Sequence, residues 1–362
     1  MFNYASLGAN LLLSRRYPIS LVHFVTNRCN ARCSFCFIDF DDTRIYHNQL
    51  TLDEIDAMTR QLGPHLKNVN LTGGEPFARK DFLEVARCYF NNTGVESIFI
   101  TSNGSLPDRI EHFVRTLGAE FPDRKIIFSF STDDFPNRHD EIRRIDGLFA
   151  NAIKSYQLIL AYGRNAMANC SITVSHENCS TVLDLYEHLI EHYGVRAITA
   201  NLVRDEGVYS TPPEQRKAIL EGYSALTERL RRDLRSGRIE GYNPRTVQGR
   251  MMNKKNELMY QMVEKSYREP GFISYCHAGS LFGIIGADGT VSPCEVLDNT
   301  YGNLRDYNFD FQKLWFDHEA KKGRDFIRDS KCNCTYECAW TLNILGNTQY
   351  LPGMLAAAVK AK

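Results

Sequence analysis

An excess of charge of either sign is what this 362-residue chain lacks most plainly, because its 43 Lys and Arg are matched by 43 Asp and Glu. A neutral sum implies no nucleic-acid partner and no attraction to an anionic membrane surface. No apolar run approaches the roughly 18 residues of a membrane helix. The first 20 residues also lack the charged start, apolar core and small-residue cleavage site of an export signal. The expectation is a cytoplasmic chain with neither a membrane nor a nucleic acid as partner. Internal repeats and low-complexity segments are missing as well. Eleven cysteines are present, and in a reducing compartment clustered thiols read as metal ligands, not disulfides.

Six β-rich runs, at 19–27, 67–72, 95–101, 125–132, 168–175 and 195–203, each end in polar or Gly-rich residues and lead into a helical pattern. Thr51 and Glu54 form the capping box of one such helix. Strands alternating with helices imply a parallel sheet or barrel. Parity adds to this, because alternate residues of a strand share a face. One face is repeatedly polar: Asn68, Asn70 and Thr72; Ser129, Ser131 and Asp133; Ser171, Thr173 and Ser175; Thr199 and Asn201. A closed barrel packs its lumen with branched apolar side chains, so a polar inner row points to a partial barrel that holds ligand and water.

The fold class expected is α/β: a partial (β/α)6 TIM-like barrel over 1–205, then a small cysteine-rich β-hairpin/α domain. Helices at 213–235 and 248–267 make a connection over 206–270, where Arg229, Arg231, Arg232, Arg235 and Arg238 read as a solvated face. The hairpin, 281–286 against 290–292, turns at Asp288-Gly289 and lies in the second domain, 271–345. The tail, 346–362, carries no legible structure. Cys88, Cys170 and Cys179 read as small buried hydrophobes, Cys88 within a helix and Cys179 beginning one.

Cys29-Asn-Ala-Arg-Cys33-Ser-Phe-Cys36 places three thiols directly after the first strand. Iron–sulfur cubes that only carry electrons usually take four cysteines, so three imply that a substrate or cofactor completes the site; a small zinc site is the alternative. Leu71-Thr72-Gly73-Gly74-Glu75-Pro76 ends the second strand, with glycines that let backbone approach a ligand and a carboxylate for an ammonium group. Ser102-Asn103-Gly104 ends the third strand and Ser131-Thr132-Asp133 the fourth.

These motifs together resemble the radical S-adenosylmethionine superfamily, whose C-x-x-x-C-x-aromatic-C loop is matched by Cys29, Cys33, Phe35 and Cys36. Its G-G-E-P motif is matched by Gly73, Gly74, Glu75 and Pro76. The resemblance implies a 4Fe-4S cluster on the three cysteines and S-adenosyl-L-methionine chelated to the remaining iron. It also implies reductive cleavage to a 5′-deoxyadenosyl radical and an electron donor such as flavodoxin or ferredoxin. For the cofactor it implies an adenine neighbour in Phe35 and a clamp on the amino group at Thr72, Gly73, Gly74 and Glu75. Ribose and carboxylate contacts are implied at Ser102, Asn103, Ser131 and Asp133, with Ser175 and Asn201 as further positions and Asn178 a weaker one. His139-Asp140-Glu141-Ile142-Arg143-Arg144 resembles the family's H-D-x-I-R-G stretch, with Arg144 in place of Gly.

Cys276, Cys294, Cys332, Cys334 and Cys338 resemble the twitch or SPASM extensions of the same superfamily, which implies a second 4Fe-4S auxiliary cluster; a structural zinc site is the alternative. Five thiols match one fully ligated cluster with one to spare, and which of the last three is the odd one stays open. The expected activity is abstraction of a hydrogen atom from a small molecule, such as a sugar, alcohol or nucleoside, in oxidation, epimerisation or rearrangement. That preference rests on the short segment before the first strand, which leaves no room for a peptide-recognition domain. The alternatives are modification or maturation of a ribosomal peptide or protein, and a non-enzymatic iron–sulfur electron carrier.

Overall fold

The structure, a computed structural model, describes residues 4–63, 65–205 and 207–359. The expected boundary at residue 206 and the last three residues of the expected tail lie outside them. Alternating polarity builds the sheet. In β4 (Lys125–Ser131) Ile126, Phe128 and Phe130 are fully buried, while Ser129 and Ser131 are only partly so, the period-two signature of a strand with unlike neighbours on its two faces. β1 (Ser20–Thr26), β2 (Asn68–Gly73), β3 (Ser97–Ser102), β4, β5 (Ala166–Val174) and β6 (Ile198–Leu202) are all parallel and lie side by side in chain order. Their connecting helices, such as Phe82–Asn92, Pro107–Glu120 and Leu148–Tyr162, share a single hydrophobic core with the apolar row. This is a sheet of partial TIM-barrel type.

The hairpin joins that sheet. β7 (Phe282–Ile285) runs parallel to β1, pairing Phe282 with Ser20 and Ile285 with His23. β8 (Thr290–Ser292) and β9 (Gly302–Asn303) complete nine strands, and Gly289 takes φ +87° in the turn. A second tie is electrostatic: Arg305 donates to both oxygens of Glu54, at 2.6 and 2.7 Å. The same carboxylate accepts from Thr51 N–H at 2.9 Å in the capping box of the helix Leu52–Thr59.

The long helix Val247–Arg268 packs against the helices Glu337–Gly346 and Leu351–Val359. The tail, where the sequence carries no legible structure, is helical, and Arg250 donates to the Ala358 carbonyl at 2.6 and 3.0 Å. Its Ala-rich stretch has high helix propensity but no capping or charge signal, and packing supplies the remaining stability. The arginine row is engaged in ion pairs, since Arg229 and Arg238 both bind Glu187 and Asp233, Arg231 binds Glu228 and Arg235 binds Glu257. Cys170 is buried in β5, Cys88 sits in the helix Phe82–Asn92, and Cys179 lies in a turn ahead of the helix Val182–Tyr193 and does not begin it. No described helix is long and apolar enough to cross a membrane.

Arg144 ends the helix Pro136–Arg143 in the left-handed region at φ +56°, exposed to solvent, a position that favours glycine because a Cβ crowds the following carbonyl. Arg144→Gly should therefore stabilise the protein by about 1 kcal/mol and raise Tm by about 2 °C. A melting curve unchanged or shifted downward would show that the arginine side chain makes up for its backbone strain.

Candidate active site

Cys29, Cys33 and Cys36 follow β1 in a loop with little regular structure of its own, so neighbouring segments must hold it. Arg32 N–H donates to the Arg143 carbonyl at 3.0 Å and Ser34 N–H to the Ile142 carbonyl at 3.1 Å. On the other side, Gly74 N–H donates to the Thr26 carbonyl at 2.8 Å and Glu75 N–H to the Arg28 carbonyl at 2.9 Å. Such closeness requires glycine. A Cβ on Gly73 would stand 2.0 Å from the Thr26 carbonyl oxygen, and one on Gly74 2.3 Å from that of Arg28. The Gly-Gly pair therefore braces the cysteine loop as well as edging the site.

All three thiols face a cavity of about 2640 Å³, along with Phe35, Thr72, Gly73, Gly74, Ser102, Asn103, Ser131 and Asn201. The polar strand row lines it too, and neighbouring strands satisfy one another. Ser129 Oγ and Thr199 Oγ1 donate to Asn169 Oδ1 at 3.0 and 3.1 Å, and Asn201 Nδ2 donates to Ser171 Oγ at 2.7 Å. Ile172 and Val174 face the other way, into the core.

Three predicted cofactor residues are not on the cavity wall. Glu75 is fully buried, and its carboxylate accepts from Phe77 N–H (3.0 Å), Ser102 Oγ (2.9 Å) and Asn103 N–H (2.8 Å); burial raises its pKa. Ser175 is fully buried in a turn, its hydroxyl accepting from Glu177 N–H at 3.2 Å. Asp133 is buried behind Arg143, which it binds at 2.6 Å, and it also accepts from Thr173 N–H at 3.0 Å. The weaker candidate Asn178 donates to the Asp133 and Thr173 carbonyls at 2.6 and 2.9 Å.

Arg143 is the functional group that sequence reasoning passed over. It lines the cavity with its guanidinium 5.7 Å from the Phe35 ring centre, a cation–π distance. Burial works against its charge, but Asp133 and the nearby Cys33 outweigh that and raise its pKa. The signal was the motif stretch itself, in which Arg143 precedes the turn residue Arg144. Burial also pushes Cys29 up to about 12 and raises Cys33 and Cys36, with Arg143 opposing the shift in the last two. These thiols give up protons only to a metal, beside a cation that favours the thiolate.

In the second set, Cys276, Cys332, Cys334 and Cys338 pack against one apolar cluster that contains Cys294, and burial raises each thiol, Cys276 to about 12. Cys338 also faces the cavity and accepts from Asn70 Nδ2 at 3.8 Å. Between the two sets stands a cluster no motif announced, although Glu295 directly follows Cys294. Arg204 pairs with Glu295, lies 4.4 Å from the Tyr336 ring centre, and Tyr336 Oη donates to Glu295 at 2.6 Å. Among the described residues no three Cys, His, Asp or Glu side chains converge as ligands of one ion. A four-iron cube takes one thiol per iron, the donor type that both sets supply.

Residues 24–189 match the model of the Radical SAM superfamily. Sporulation killing factor maturation protein SkfB of Bacillus subtilis is 24% identical over 291 residues, 79% of this chain and 62% of SkfB. A GTP 3′,8-cyclase of Actinobacillus pleuropneumoniae is 36% identical over 87 residues, 24% of this chain and 26% of the cyclase. The chain therefore spans less than two thirds of the length of these curated relatives. Among solved structures, native anSMEcpe with bound AdoMet matches with a TM-score of 0.62 at 16% identity, over 95% of this chain and 100% of that one. Streptococcus suis SuiB bound to precursor peptide SuiA matches with a TM-score of 0.58 at 17% identity, over 89% and 70%. The residues matched by the family model carry the first cysteine loop, the Gly-Gly-Glu-Pro brace and the strands that surround them, so it is this part of the chain, 24–189, that is similar to the radical SAM superfamily.

Proposed function

We propose that the chain is a radical S-adenosylmethionine enzyme that modifies a peptide or protein. The observation that carries the substrate class is the cavity, which runs from the cysteine loop to the far helices with about 2640 Å³ for cluster, cofactor and substrate together, beside roughly 300–1,000 Å³ for a site that takes one small molecule. The shortness of the segment before β1, which favoured a small molecule, loses its force when the lumen itself has room for part of an extended peptide. SkfB is a maturation protein and SuiB was solved with a precursor peptide, which supports the same reading.

Cys29, Cys33 and Cys36 would hold a 4Fe-4S cluster, and Cys276, Cys294, Cys332 and Cys334 the auxiliary one. Loaded with S-adenosylmethionine and reduced by a flavodoxin or ferredoxin, the first cluster supplies a 5′-deoxyadenosyl radical. The chain's own part is positioning. Arg143, held by Asp133, would meet the cofactor's carboxylate; Phe35 would offer a ring face to adenine, Ser102 and Asn103 their polar groups to ribose, and the backbone of 72–74 its carbonyls to the amine. Glu75 acts from behind by fixing Ser102 and Asn103.

Anaerobically reconstituted protein should carry about eight irons, and replacement of Cys29, Cys33 and Cys36 by Ala should leave about four. With dithionite, only the wild type should turn S-adenosylmethionine into 5′-deoxyadenosine. Offered GTP or a panel of short synthetic peptides, it should change the mass of a peptide and leave GTP intact; conversion of GTP would reverse the substrate assignment.

Glu75→Ala strands three buried donors, so it should destabilise the fold by about 3 kcal/mol as well as weaken cofactor binding. Normal denaturant unfolding of that variant would remove Glu75 from the frame described here.

Arg143→Met should weaken S-adenosylmethionine binding, measured by calorimetry on loaded protein, with a smaller loss of stability than Asp133→Ala, which leaves a buried cation unpaired and should cost about 3 kcal/mol. Equal cofactor affinity in wild type and Arg143→Met would exclude the carboxylate contact.

A further inference from the structure

We propose that the cavity has a second mouth, at the end of the barrel away from the cysteine loop, and that this mouth binds an acidic segment of the substrate peptide. The inference rests on the peptide-modifying reading above and names what that peptide carries. The cavity wall continues from the cysteine loop to the opposite end of the strands. There it includes Lys125 at the start of β4, Met167 near the start of β5 and Arg196 two residues before β6. It meets solvent at that end. Met167, which has the inward parity of Asn169 and Ser171, is 47% exposed, and Tyr242, in the segment that hydrogen-bonds to Arg196, is 37% exposed.

The charge at this mouth is one-sided. Arg124, Lys125, Arg196 and Arg250 line it, and none forms an ion pair among the described residues. The three guanidinium groups instead donate to main-chain carbonyls, those of Val95, of Arg238, and of Pro244 and Ala358. Such bonds orient a cation without cancelling its charge. Farther along the same wall one carboxylate, Glu257, serves Arg235 at 3.1 Å, Lys254 at 3.2 Å and Arg231 at 4.0 Å. Asp123 and Glu240 oppose these cations, and Glu96 is taken up by Lys67 at 3.1 Å. A cleft lined by an excess of one sign focuses its field on a ligand of the other. Between the cations, the exposed methionine and tyrosine suit a chain with apolar side chains as well, which favours an acidic peptide over a nucleic acid.

Length sets a spacing. β4 has seven residues, about 20 Å at roughly 3.3 Å per residue, so an extended peptide seated in this mouth arrives at the cofactor end about six residues farther on. The acidic residues therefore stand at least about six positions from the residue that reacts.

The test uses reconstituted protein loaded with S-adenosylmethionine and two synthetic peptides of equal length, one with Asp spaced among Leu and Ala, the other with Asn in place of Asp. Fluorescence anisotropy should show the Asp peptide bound at least about fivefold more tightly at low salt. Most of that preference should vanish at about 1 M salt, where the screening length falls to about 3 Å. Lys125 and Arg196 are both exposed, and the double variant Lys125→Glu, Arg196→Glu should lose the preference. It should keep the wild-type affinity for the Asn peptide, the iron content and the peptide-free formation of 5′-deoxyadenosine. Equal binding of the two peptides by the wild type, no binding of either, or a preference that survives the double variant overturns the proposal. So does tighter binding of a single-stranded oligonucleotide than of the Asp peptide. A salt-sensitive preference for the Asp peptide in a protein that forms no 5′-deoxyadenosine upholds the mouth and sinks the radical reading.

Discussion

Six parallel strands with unlike faces set the terms for the rest of this molecule. Residues two apart point the same way, and the helices cover one side, so Ile126, Phe128, Phe130, Ile172 and Val174 go into the core. Everything of opposite parity must face inward. Buried polar groups are tolerated only when hydrogen-bonded, and the parallel register meets that demand by bringing Ser129 beside Asn169 and Asn201 within reach of Ser171. The result is a lumen with a polar wall.

The chemistry sits where these strands end, and there close backbone approach replaces strand pairing as the organising force. Gly73 and Gly74 lie against the carbonyls that lead into the cysteine loop, and 142–143 hold its far side. Asp133, at the end of β4, reaches Arg143 across the same end of the sheet. One ion pair thus fixes the cation beside the thiols, and the loop that carries the thiols is fixed by the segment that carries the cation. Substitution at either place disturbs both.

The two cysteine regions are joined mechanically as well as electrostatically. β7 hydrogen-bonds to β1, the strand that delivers Cys29, while Arg305 grips Glu54 and Arg204 grips Glu295. Ion pairs that are largely withdrawn from water gain strength from the lower dielectric but cost desolvation; here each also spans two regions of the chain, so its geometry is fixed by the packing on both sides. Cys338 occupies the seam, on a helix whose neighbours are the long helix Val247–Arg268 and the lumen.

The sequence by itself determined what local rules govern: the six strands, their parity, the capping box of Thr51 and Glu54, the turn at Gly289, and the grouping of thiols. These depend on residues within a few positions of one another, where period and spacing are readable. Tertiary structure alone decided the remainder. That Glu75, Asp133 and Ser175 stand behind the wall while Arg143 stands on it depends on which donor each carboxylate meets from a distant strand. That Cys338 faces the cavity depends on how the helix Glu337–Gly346 is set by packing on Val247–Arg268, and no spacing of cysteines encodes a rotation. The helical tail and the addition of β7 to the barrel sheet have the same cause, since apolar burial is non-directional and its partner is chosen by the fold as a whole.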